Sequence, residues 1–227
     1  MISAFKSFYS TVGRKLLMAL TGLFLCLFLV EHLFGNLELY KYDAGKAFNE
    51  YTELLTGNLL IRTIEYGLFA AIILHIVDAL FLTLSNRKAR PVKYAMNNRS
   101  ANSTWFSRNM GLTGSFILFF LIVHLREFFF PHRFGGAEES MAYSVAFAFS
   151  RWWYSSFYIV SMILLGAHLN HGFASAFQSL GWSNHKYYKV LRGTGTIFAL
   201  IMVIGFASFP IMFFFNICGI STQILGK

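Results

Sequence analysis

Five apolar runs constrain this chain more than anything else in it. They cover about Leu16–Leu37, Leu60–Leu84, Met110–Phe130, Trp153–Phe177 and Thr194–Ile217. Each is close to the roughly 20 residues that a bilayer span needs. A segment in hydrocarbon must satisfy its own backbone hydrogen bonds, so the runs predict helices. The expected fold is all-α: one transmembrane bundle of five helices forming a single domain over residues 1–227. The strand-like alternation of a β-barrel is missing. The first run is too long for a signal-peptide core and lacks an Ala-x-Ala-like cleavage site, so it is expected to be a retained first helix.

The net charge of +9 is not a nucleic-acid signal, because its placement has a topological reason. Lys6, Arg14 and Lys15 precede the first run. Arg87, Lys88, Arg90, Lys93, Arg99 and Arg108 lie between the second and third, and Lys186, Lys189 and Arg192 between the fourth and fifth. These three stretches carry no Asp or Glu, whereas the other connections hold Glu38, Asp43, Glu50, Glu53, Glu138 and Glu139. Lysine and arginine near span ends face the inside. The N-terminus is therefore expected inside and the C-terminus outside, which is the parity of five crossings.

The inner loop SNRKARPVKYAMNNRSANSTWFSRN is basic and polar, suited to an acidic or mixed soluble partner or to anionic lipid. In the outer stretch after the first run, Phe48, Tyr51, Leu54 and Leu55 fall at helical spacing, which predicts a short amphipathic helix at the interface. Cys26 and Cys218 read as small buried hydrophobes rather than a disulfide or a metal site.

Seven histidines are present. His132 and His185 fall in loops and read as solvated. The others lie inside spans, where an ionisable residue is a functional hypothesis by default. His32, His75, His124 and His171 place one in each of four successive helices, as two hairpins with one histidine per helix. His32 is about 18 residues beyond Arg14, roughly 27 Å from the inner end, and His124 about 16 beyond Arg108, roughly 24 Å. His75 is about 11 residues before Asn86, roughly 16 Å from that end, and His171 about 8 before Ser179, roughly 12 Å. An outer pair and an inner pair result, each drawn from two helices. Two bis-histidine haems stacked across a membrane require that arrangement, since axial ligands approach the ring from opposite sides and bundles supply such sites from facing helices. With both axial positions filled, the chemistry is electron transfer. Zinc or copper would need three or four ligands at one level. In GAHLNHGF, His168 and His171 share a face. The reading prefers His171, because Gly172 beside it leaves room for a flat ring, and makes His168 a neighbour or proton-handling group.

These residues resemble those of a known family. STVGRKLLMALTGLFL precedes the first histidine, AFNEYTELL and NLLIRTIEYGLFAAIILH lead to the second, SRNMGLTGSFILFFLIVH leads to the third, and HLNHGF holds the fourth. Over almost its whole length the chain is similar to the five-helix, two-haem cytochrome b subunit of succinate:quinone oxidoreductases and fumarate reductases. The resemblance implies two haem b groups, the outer on His32 and His124 and the inner on His75 and His171. It implies flavoprotein and iron–sulfur partners on the inner face, (mena)quinone as electron partner and a bacterial inner membrane. Some members carry a glutamate two residues before the fourth ligand; Leu169 stands there, which puts their proton route in doubt. The competing readings are a haem b subunit of a hydrogenase or formate dehydrogenase, and a haem-free transporter or proton channel.

Two further groups of residues follow. Arg14, Lys15 and Arg108 stand where helices meet the inner interface and are candidates to neutralise inner-haem propionates. Quinone reduction consumes two protons and needs an acid or relay beside the ring. Glu53 and Glu65 are the candidates for that role, with Asn36 and Arg62 near the same outer ends. Arg62 and Glu65, three apart, are alternatively a simple pair. Glu31, beside His32, is expected to pair with Arg126, to take a proton or to snorkel.

Overall fold

The computed structural model describes residues 10–88, 105–135, 138–182 and 184–226. Their regular structure is entirely helical. Five helices are long and apolar enough to cross a membrane, which makes the chain a multi-pass membrane protein. In chain order the helices are α1 (Thr11–Asn36), α2 (Lys46–Gly57), α3 (Leu59–Lys88), α4 (Trp105–Arg108), α5 (Met110–His124), α6 (Phe130–Phe134), α7 (Met141–Phe149), α8 (Trp152–Ser179), α9 (His185–Phe214) and α10 (Ile220–Leu225). The five spans are α1, α3, α5 with its continuation into α6, α8 and α9. Lys6, Arg90, Lys93 and Arg99, and most of the basic loop that carries the last three, lie outside the described residues.

Local chemistry sets the boundaries. Ser10 caps α1, its hydroxyl accepting from the Gly13 amide at 3.0 Å. Gly45 is the N-cap of α2, and Asp43 two residues before it accepts from the Ala47 amide at 2.8 Å; Asn58 precedes α3 and accepts from the Leu60 amide at 2.8 Å. The third span is not uniform. Directly after His124 the chain makes a π-helical turn, Leu125–Phe129, before resuming as α6. Pro131 is the physical cause, because it has no N–H to return to the preceding turn and its ring crowds that carbonyl.

α8 is the spine of the bundle. It packs on α9, α1 and α5, while α3 rests chiefly on α1 and leaves most of its surface outward. The densest packing is at one end. There α7, an apolar helix with Ala142, Val145, Ala146, Ala148 and Phe149 buried, is enclosed by α2, α9 and α10. Leu39, Phe48, Phe128, Tyr154, Tyr158, Phe213 and Ile220 complete this cap. The sequence reading gave that connection only its acidic residues and missed α7, a nine-residue apolar stretch too short to announce a span. The opposite end carries Arg14, Lys15, Arg87, Lys88 and Arg108 and is called the basic end below.

Several expectations are corrected here. Cys218 is exposed and only Cys26 is partly buried. His132 is no solvated loop residue: it lies in α6 with Nε2 3.0 Å from Ser144 Oγ. The amphipathic helix is present as α2, with Phe48 buried, but Leu54 faces outward, 70% exposed.

Candidate functional site

Two histidine pairs stand inside the bundle. At the cap end, His32 on α1 and His124 on α5 have ring centroids 5.8 Å apart at 85°. Nearer the basic end, His75 on α3 and His168 on α8 have centroids 6.4 Å apart at 66°. A first-row metal–imidazole bond is about 2 Å, so an iron ligated on both faces holds the two ring centroids about 6 Å apart. Both pairs meet that spacing across two helices. Among the described residues, no three His, Cys, Asp or Glu side chains converge as they would around a bare ion.

The structure brings His32 and His124 together, the two residues paired at the outer level from sequence. The second pair is a correction. His168, not His171, faces His75. His171 is three residues on, with Arg192 of α9 as an electrostatic neighbour, and its Gly172 looks toward Met110 rather than toward a histidine ring. A shared helix face does not decide between residues three apart, because helical twist and side-chain direction settle which one reaches the partner.

A sequence signal did exist. Thr21, Gly22 and His32 recur 92 residues later as Thr113, Gly114 and His124, and His75 recurs 93 residues later as His168. The structure shows what the repeat does. Thr21 Oγ1 lies 3.1 Å from His75 Nδ1, and Thr113 Oγ1 lies 3.5 Å from His168 Nδ1. Each threonine already donates its one hydrogen to its own helix, Thr21 to the Leu17 carbonyl at 2.8 Å and Thr113 to the Asn109 carbonyl at 3.1 Å. Only a lone pair is left for the imidazole. With the hydroxyl hydrogen on the helix carbonyl, the matching imidazole tautomer is Nδ1–H, the one that leaves the Nε2 lone pair to a metal. Both threonines are buried, at 7% and 2% exposure. The glycines stand beside the same rings: a methyl at Gly22 would come within 3.4 Å of His75 Cε1, and one at Gly114 within 3.6 Å of His168 Cε1.

The cap-end pair is lined with aromatic rings. Phe28 stacks on His32 at 5.2 Å and Phe206 lies 5.7 Å from it. Phe120 and Phe128 flank His124 at 5.6 and 5.4 Å, and Tyr158 Oη meets His124 Nδ1 at 2.9 Å.

The other candidates are more dispersed. Arg14 at the start of α1 lies over the Phe81 ring at 4.7 Å, Lys15 is exposed beside it, and Arg108 closes the single turn of α4. Asp78, one turn nearer the basic end than His75, was not singled out from sequence. It is 6% exposed, its Oδ2 has no hydrogen-bond partner among the described residues, and Arg14 is its charged neighbour. Leu169 is buried at 6% exposure.

At the cap end the quinone candidates do not form one cluster. Glu65 pairs with Arg133 of α6 at 3.1 Å and not with Arg62, whose Nε donates to the Thr56 carbonyl. Asn36 donates to the His32 carbonyl. Glu53 is exposed on α2. Glu31 pairs with Tyr51 of α2 rather than Arg126, accepting from the phenol at 2.5 Å. Burial first, and then that bond, holds the Tyr51 phenol above its ordinary value. Gly35 makes the approach possible, since a methyl there would sit 2.4 Å from the Tyr51 ring.

Compared with known proteins, the chain matches no family model, no curated protein and no solved structure.

Proposed function

We propose that this chain is the membrane anchor and electron-transfer subunit of a succinate:quinone oxidoreductase or fumarate reductase, built to hold two bis-histidine haem b groups. One observation carries the reading: two pairs of imidazoles at two levels, each from two helices, at the spacing of a doubly ligated iron. His32 and His124 hold one group, and His75 and His168 the other. When bound, haem supplies one-electron transfer without an open coordination position. The protein's part is to fix the imidazoles, which Thr21, Thr113 and Tyr158 do through Nδ1, and to keep Nε2 unprotonated.

The basic end faces the cytoplasm in this account and receives the flavoprotein and iron–sulfur subunits, because the stretches that connect the spans there carry lysine and arginine and no acid. Arg14, Lys15 and Arg108 are at the right end to meet propionates of the group held by His75 and His168. The membrane is a bacterial inner membrane, with N-terminus inside and C-terminus outside. Menaquinone exchanges electrons at the cap end, where Glu53 and Glu65 are the carboxylates able to carry its protons, and Asn36 and Arg62 lie near them in sequence.

The test is purification of the chain with whatever soluble subunits accompany it, followed by a reduced-minus-oxidised spectrum. The proposal expects b-type α bands, two haems per chain, and co-purifying flavoprotein and iron–sulfur subunits. A chain free of haem, or one that brings a nickel or molybdenum enzyme instead, rejects it.

A further inference from the structure

The threonine device treats both hairpins alike near the basic end. The cap end does not repeat it. His124 has a buried phenol on its Nδ1, Tyr158 at 2.9 Å, while the His32 ring has no side-chain hydrogen-bond partner among the described residues. In the repeat that relates α3 to α8, the residue 93 places before Tyr158 is Glu65, and its carboxylate is turned to Arg133. The duplicated plan is therefore broken at one residue on one side of the cap-end pair.

Tyr158 is also held on several sides. It is 5% exposed, with the Phe149 and Phe120 rings each 4.9 Å away. Tyr154, 1% exposed, has its hydroxyl 3.4 Å from that of Tyr158, placed to take the phenol hydrogen when Tyr158 accepts from His124. The Tyr154 ring lies under the Arg151 guanidinium at 5.0 Å. Arg151 pairs in turn with Glu127, from the π-helical turn that follows His124. A phenol so fixed cannot rotate away from its imidazole.

Resting on the haem reading above, we propose that Tyr158 is the positioning residue of the cap-end haem: it accepts the His124 Nδ1 hydrogen, fixes the ring's tautomer and sets this haem's midpoint potential apart from that of the other. An imidazole that donates Nδ1–H to an oxygen becomes a more basic ligand and favours the ferric state. Removing the acceptor therefore raises the potential of that haem alone.

The experiment is a spectroelectrochemical titration of the full chain as wild type, Tyr158→Phe and Tyr154→Phe. Tyr158→Phe should keep both haems and shift the ferric-to-ferrous ratio of the cap-end one about tenfold, which is 59 mV for a one-electron couple. The other haem should not move, and Tyr154→Phe should give a smaller shift, since it leaves the bond to His124 intact. Equal shifts at both levels, or none with both haems retained, would overturn the proposal. A second readout needs no haem. In haem-free chain with nitrogen-15 histidine, wild type should show the Nδ1–H tautomer at His124 and Tyr158→Phe a tautomer mixture. No difference there overturns the role of Tyr158, whereas a wild-type chain that binds no haem overturns the functional reading itself.

Discussion

Replacing Thr21 by valine removes one hydroxyl and almost no volume, and it isolates the threonine device at His75. Thr21 is 7% exposed and its oxygen is 3.1 Å from Nδ1. Without it the Nδ1–H has no acceptor, and the unprotonated tautomer at Nε2 loses its advantage. Leaving one buried donor unpaired costs about 1–3 kcal/mol. His75 is only half-buried, so water recovers part of that, and about 1–2 kcal/mol is the reasoned cost. At 1.4 kcal/mol per tenfold, haem affinity should fall roughly 5- to 30-fold. The assay is haem titration into haem-free protein in a His124→Ala background, which leaves only the site formed by His75 and His168. Thr21→Ser keeps the hydroxyl and should bind within about threefold of the parent on the same scale. Thr113→Val should cost less than Thr21→Val, because its bond to His168 is longer, at 3.5 Å. The reasoning is refuted if Thr21→Val binds as well as its parent, or if Thr21→Ser loses as much as Thr21→Val.

Gly35→Ala should expel the Tyr51 ring, break its bond to Glu31 and raise hydrogen exchange in α2 by about tenfold or more, with the rest of the bundle unchanged. Tyr51 is neutral when docked and its phenol is held above the ordinary value of about 10, so its contribution is full below that pH and is lost as pH rises toward the folded value. α2 should loosen in alkali, and Tyr51→Phe should abolish that pH dependence. Asp78→Leu should raise the denaturation midpoint in detergent by the equivalent of about 1–3 kcal/mol, since it removes a buried carboxylate oxygen that has no hydrogen-bond partner among the described residues; a lower midpoint would mean that the carboxylate is bonded. Glu65→Gln should destabilise the α3–α6 contact by leaving Arg133 without its carboxylate, whereas Glu53→Gln on the exposed face of α2 should leave thermal stability unchanged.

The spans were legible because hydrocarbon length and polarity are set residue by residue. His32, His75 and His124 were legible for the same reason, as rare polar groups within those spans. His168 was not, although the means lay in the sequence: the repeat of Thr-Gly and histidine at 92 residues carries His75 to 168 at 93, and 171 breaks the register. Gly172 misled, because a glycine beside a histidine fits a flat ring only if that face looks inward. α7 was hidden because short apolar segments are compatible with loop, strand or buried helix until their neighbours are known. The partners of Glu31, Arg62 and Glu65 were unreadable for another reason. Tyr51 and Arg133 reach those side chains through tertiary packing that no local spacing encodes.

The most direct measurement of the central claim is the haem count and reduced-minus-oxidised spectrum of single histidine variants of the full chain. Wild type should hold two haems. His75→Ala and His168→Ala should each lose the same one, His32→Ala and His124→Ala should each lose the other, and His171→Ala should keep both. A wild-type chain without haem, or loss of a haem from His171→Ala while His168→Ala keeps both, would contradict the account.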